Sequence, residues 1–147
     1  MATYIYDPDK NSIIFGSNRI TGWADGEYIT AEMETDTVSD VSGTDGDVVI
    51  SKTSDRRCTV VIKTHQGSPV NAQLSQILSD VEQQGSAAGI RPFAIKDNST
   101  AASAQKELVY GAESWIMGWP AMSRDRSAKS LEWRIRIAKC ERFEPGA

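Results

Sequence analysis

"SGTDGDVVISKTSDRRCTVVIKTHQGSPVNAQLSQIL", residues 42–78, contains three kinds of local structure in 37 positions, and their order decides the fold class. Arg57 to His65 alternates, with Cys58, Val60 and Ile62 on one side and Thr59, Val61 and Lys63 on the other, the period-two pattern of a half-buried strand. Ser68-Pro69 then opens a helix over 69–84, Ser as N-cap and Pro at the first position, where its missing N–H costs nothing. Val70, Leu74, Ile77, Leu78 and Val81 form its single apolar stripe, and Gly85 ends it. The segment in front of the strand is different. Residues 36–56 are rich in Asp, Ser, Thr and Gly, longer than a connection in a compact domain usually is, and carry a second turn signal at Asp45-Gly46. With Val48, Val49 and Ile50 starting a strand back out, they read as a long hairpin with a polar tip, ordered by something outside the subunit.

Outward from this stretch the chain is mainly β. Ser12–Phe15 is a short apolar strand, and Asp25-Gly26 in "ITGWADGEYITAEMETD" reads as a hairpin turn between two strand-like runs. In the second run Ile29, Ala31 and Met33 alternate with Thr30, Glu32 and Glu34, giving one dry face and one acidic face. Strands are expected over Arg91–Lys96 and Glu107–Trp119, joined by the small polar residues of "DNSTAASAQ". Leu131, Trp133, Ile135 and Ile137 alternate with Glu132, Arg134 and Arg136 in the cleanest strand pattern. The sum is one domain over 1–147: a β-sandwich or barrel of about seven strands with one packed helix and a long hairpin.

Charge is unevenly placed. The chain carries −4 overall, which argues against adhesive, sequence-independent binding to nucleic acid. Residues 21–55 hold nine acids against Lys52 alone, whereas residues 121–142 hold seven bases and three acids. A monomer can carry such a split without purpose, and a self-assembling subunit can use it to set which surfaces meet. No apolar run approaches the ~20 residues that span a bilayer, and no signal peptide is recognisable, so the expected place of synthesis and retention is the cytoplasm unless export needs no signal. Cys58 and Cys140 fall on expected strands and read as reduced, buried thiols.

Catalytic patterns are missing. His65 is the single histidine, reads as a surface residue, and has no nucleophile elbow to accompany it. An EF-hand alignment of "VSGTDGDVVISK" puts Val41 at the first position and Lys52 at the twelfth, losing both anchoring carboxylates. "GSNRITG" lacks the spacing of a phosphate loop. Neither enzyme, metal nor cofactor is expected. Trp133 reads as core, while Trp119-Pro120 at a strand end leaves open a binding module, a monomeric sandwich using Trp119 and its loops.

The runs "ITGWADGEYI", "GTDGDVVISKTSDRRCTVVI" and "SPVNAQLSQIL", in that order, resemble the tail tube proteins of contractile-tailed bacteriophages. The resemblance covers about Ile20 to Phe143; the N-terminal "MATYIYDPDKNSIIF" and Cys58 depart from it. It implies a tail-tube fold in a structural subunit of the virion tail, assembled in the host cytoplasm. It further implies hexameric rings stacked into a hollow tube within a contractile sheath, with baseplate and tail terminator proteins as further partners and DNA in non-specific transit. Residues 36–56 become an inter-subunit or ring-stacking loop, with Asp36, Asp40, Thr44, Asp45, Asp47, Lys52, Asp55 and Arg56 as its contact residues. Thr30, Glu32 and Glu34 are candidates to face the channel, the sheath-facing assignment being the competitor. The tube of a phage-tail-like bacteriocin or secretion device shares the same features.

Overall fold

The computed structural model describes residues 11–97 and 106–145; the "MATYIYDPDK" arm and most of the "DNSTAASAQ" connection lie outside them. The elements are β1 (Asn11–Phe15), β2 (Asn18–Arg19), β3 (Ile29–Met33), β4 (Val38–Ser42), β5 (Val48–Lys52), β6 (Cys58–His65), α1 (Pro69–Gln84), β7 (Arg91–Asp97), β8 (Lys106–Ile116), β9 (Ser130–Ile137) and β10 (Arg142–Phe143), with a 3₁₀ turn over Ser86–Gly89. The expected helix and the expected strand at residues 57–65 are both present.

Eight strands form one antiparallel sheet in the order β2-β1-β7-β8-β9-β6-β3, with β10 added on β8, and β4-β5 form a separate two-stranded sheet. Of the two expected arrangements, sandwich or barrel, a closed barrel is not formed among the described residues. The ends of the main sheet approach one another where Asn11 Nδ2 donates to Tyr28 Oη at 2.8 Å, but no ladder joins β1 to β3 among the described residues. The sheet is therefore curled but open. Among the described residues ten strands stand in place of the expected seven or so, because β2 and β10 are two-residue pairings too short to leave a periodicity, and β4 and β5 pair only with each other.

The Asp25-Gly26 turn is also corrected. Residues on both sides of it run along the same edge of β6: His65 N–H donates to Gly22 O and Ala24 N–H to Lys63 O, while Lys63 N–H donates to Tyr28 O. Trp23 bridges Thr64, and Ile29 pairs with Ile62, so the turn loops out of one antiparallel track instead of reversing it. Gly26 does adopt the positive φ that a turn of this kind needs, +83°. A local turn signal does not state whether the chain returns on itself, because β6, more than 30 residues away, supplies the partner.

The core lies between the inner face of the sheet and α1. Val60, Ile62, Trp133, Ile135, Ile137, Phe15 and Phe93 are fully or almost fully buried, and Val70, Leu74, Ile77 and Leu78 of α1 complete it. One polar junction holds the helix in place. Asn71 Oδ1 accepts from Thr64 Oγ1 at 2.7 Å and from Trp133 Nε1 at 3.0 Å, and Asn71 Nδ2 donates to the carbonyls of His65 at 2.8 Å and Gln66 at 3.3 Å. Beside it Ser68 Oγ donates to Thr21 O at 2.8 Å and accepts from Val70 N–H at 3.4 Å, capping the helix. Gly22 makes room for that hydroxyl: a Cβ there would sit 2.5 Å from Ser68 Oγ, at a φ of +75°.

Replacing Asn71 by Ala strands the Thr64 hydroxyl and the Trp133 N–H in the core. Loss of both acceptor bonds is expected to lower stability by about 2–4 kcal/mol. A urea denaturation midpoint unchanged from the parent would contradict the role given to this side chain.

Candidate functional site

Three surfaces carry the residues singled out in the sequence. The first is the β4-β5 hairpin. Its turn is closed by Gly43 N–H donating to Asp47 O at 2.7 Å and by Asp45 Oδ1 accepting from Asp47 N–H, with Gly46 at φ +92°. All ten strand residues are exposed, as are Asp36, Thr44, Asp45 and Asp47. The tip is polar as expected, but the arms are not. Val41 and Ile50 are 69% and 70% exposed, and Val38, Val48 and Val49 are likewise uncovered. The sequence marks Val48, Val49 and Ile50 only as the start of a strand; with neither face of the hairpin buried, they and Val38 and Val41 form an exposed apolar surface.

The base of the hairpin is tied to its own chain. Asp55 receives the backbone N–H and the guanidinium of Arg57, with Nε at 3.0 Å and Nη2 at 3.0 Å. These bonds hold its carboxyl at about 2, below the ordinary 3.8. Arg56 Nε donates to Cys140 O at 3.0 Å while Cys140 N–H donates to Arg56 O at 2.8 Å. Of the sequence candidates, Asp55 and Arg56 therefore anchor the hairpin, and Asp36, Asp40, Thr44, Asp45, Asp47 and Lys52 project with it. Next to this anchor the fully buried Cys58 thiol is pushed up, first by donating a hydrogen bond to Cys140 and then by burial.

The second surface is the outer face of β3, β6 and β9. Thr30 lies in register with Val61 and Arg134, and Glu32 with Thr59 and Arg136. Glu34 is ion-paired with Arg136 at 3.3 Å and accepts a hydrogen bond from Thr59 Oγ1. Thr30 donates to Glu27 at 2.5 Å. The structure thus brings Thr30, Glu32 and Glu34 together, and it sets Lys63, Arg134 and Arg136 among them, with Glu132 opposite Lys63. Acids and bases are balanced here. Reading β3 alone missed this, because cross-strand partners come from a strand about 100 residues later.

The third surface is the connection from β8 to β9. Trp119 is 47% exposed, with its Nε1 donating to Glu82 of α1 at 2.6 Å. Trp119, Met122, Arg124 and Lys129 line a pocket of about 220 Å³ that has Trp133 among its walls. A larger groove of about 400 Å³, lined by Ile13, Tyr28, Ile29, Ile95 and Leu108, lies where the two ends of the sheet approach. His65 is exposed at the end of β6.

The comparisons with known proteins point one way. A family model described as Bacteriophage PhiTE tail tube protein matches residues 1–143. No curated protein matches the chain. The chain is similar in fold to a solved structure described as the anti-feeding prophage cap, a tube terminating cap, with a TM-score of 0.61 at 7% identity, covering 95% of this chain and 91% of that one.

The Asp55 shift has a pH consequence. Because its folded value lies below the unfolded 3.8, the stabilisation from the Arg57 contact is fully present above 3.8 and is lost as pH falls through about 2. Carboxyl NMR should give a midpoint near 2 for Asp55, returning toward 3.8 in Arg57→Ala. An unshifted Asp55 would remove the anchor. Cys58 and Cys140 should react with an aromatic disulfide reagent only after unfolding, since both are fully buried.

Proposed function

The chain belongs to the bacteriophage PhiTE tail tube protein family and is a tail tube subunit of the virion, and from that premise we propose that it forms hexameric rings that stack into a hollow tube. The observation that carries the proposal is the exposed hairpin, whose Val and Ile side chains are uncovered in the single subunit. A two-stranded hairpin is marginal alone and gains stability once a neighbouring copy covers it. The open sheet supports the same reading. Its end strands β2 and β3 present backbone edges that pairing between subunits would satisfy, the closure a barrel achieves within one chain. A contractile sheath surrounds the tube, baseplate and terminator proteins bound its ends, and assembly takes place in the host cytoplasm. No catalytic step is part of this role.

Thr30, Glu32 and Glu34 line the channel in this proposal. Their ion-paired, charge-balanced face suits a wall past which DNA slides without the phosphate binding that a basic surface would give. Glu32→Lys with Glu34→Lys breaks the pair with Arg136 and turns the face basic. Such virions should show normal tubes and slower DNA ejection. Unchanged ejection from intact tubes would move these residues out of the channel.

The likeness to a tube-terminating cap favours one second reading, the tube of a phage-tail-like injection device that conducts no DNA. Particles purified from the producing cells separate the two by their nuclease-protected DNA. Assembly is tested by electron microscopy of the purified protein over a rising concentration series, with and without purified baseplates. Rings or tubes with an open centre are expected. Monomers under both conditions would overturn the proposal.

A further inference from the structure

The uncovered hairpin and the basic β8-β9 connection match one another in two independent respects. Val38 lies opposite Lys52 in register, Asp40 opposite Ile50 and Ser42 opposite Val48, so one face of the hairpin carries a carboxylate and three aliphatic side chains, with Lys52 at its base and Asp45 and Asp47 at its tip. The pocket beneath the connection has the reverse charge and the same mixture of chemistry. Trp119, fixed by its bond to Glu82, and Met122, 77% exposed, give it apolar walls, and Arg124 stands in the lining with Arg126 exposed close by in sequence. Neither arginine makes an ion pair among the described residues; Lys129 is held by Asp125 at 3.5 Å. Both surfaces are uncovered in the subunit, and no residue of the hairpin lines the pocket.

We propose that the β4-β5 hairpin of one copy seats in the Trp119–Met122–Arg124 pocket of the next, its aliphatic face against Trp119 and Met122 and its carboxylates against Arg124 and Arg126. This rests on the tube reading and names the partner surface of its hairpin. Two different patches on one chain make a head-to-tail contact, which repeats and so generates a ring or a stack. The larger groove between β3 and β8 is the poorer receptor for this hairpin. No arginine or lysine occurs among its described lining residues, so it lacks the positive side chains that the hairpin carboxylates would pair with. The proposed contact combines burial of apolar surface with charge pairing, and its assembly should weaken as salt rises.

Charge reversal with rescue tests it. Asp40→Arg with Asp47→Arg, and separately Arg124→Glu with Arg126→Glu, are expected to raise the protein concentration needed for tube growth by ~10-fold or more, and the chain carrying all four to return to within ~3-fold of the parent. All four positions are exposed, and matching thermal unfolding curves establish that the variants fold. In the parent, p-benzoylphenylalanine at position 50 should cross-link to residues 119–129 of another copy. Reversals without effect, a fourfold variant that folds but does not recover, or cross-links to the Ile95–Leu108 groove would each overturn the pairing while leaving the tube reading intact. A parent that stays monomeric even with baseplates would overturn both.

Discussion

The Asn71 side chain is the constraint on which the rest of the subunit depends. It satisfies two donors and two carbonyls at once, and these belong to β6, the turn after it, and β9. A half-buried amide with all these bonds made specifies one seating of α1, whereas an apolar stripe alone would tolerate sliding along the sheet. Ser68 and Gly22 add a second point of attachment at the same helix end. The helix is thus pinned at its N-terminus and packed along Val70, Leu74, Ile77 and Leu78.

That rigid body contrasts with the hairpin it supports. Between Thr53 and Arg57 the chain changes from an exposed two-stranded sheet to the buried strand β6, and the Arg56–Cys140 and Asp55–Arg57 contacts mark the change. Val41 and Ile50 stay uncovered in the subunit, and in the proposed tube a neighbouring copy covers them. On that proposal the stability of the subunit and the stability of the assembly are held in separate places, which allows a folded monomer to exist before it joins a tube.

Legibility in the sequence followed the range of the interactions. Pro69–Gln84 and Cys58–His65 were readable because capping, stripe and alternation are local, and Trp133 was placed in the core by its own strand's period. Asp25-Gly26 was misread because the partner that keeps both its arms parallel to one track is β6. The acidic face of Glu32 and Glu34 proved to be shared with Arg134 and Arg136 for the same reason: register between distant strands is not written in either strand alone. Sandwich and barrel stayed alternatives in the sequence because closure depends on which strands are left at the sheet's ends, and no single strand's pattern records that.

Amide hydrogen exchange across the hairpin, compared between free subunit and assembled tube, tests the central claim most directly. Residues 38–52 should exchange rapidly in the subunit and slowly in the tube, while the amides of β6 and the first turns of α1 stay protected in both. Protection of the hairpin in the free subunit, or its continued rapid exchange in the tube, would contradict an account in which a neighbouring copy orders it.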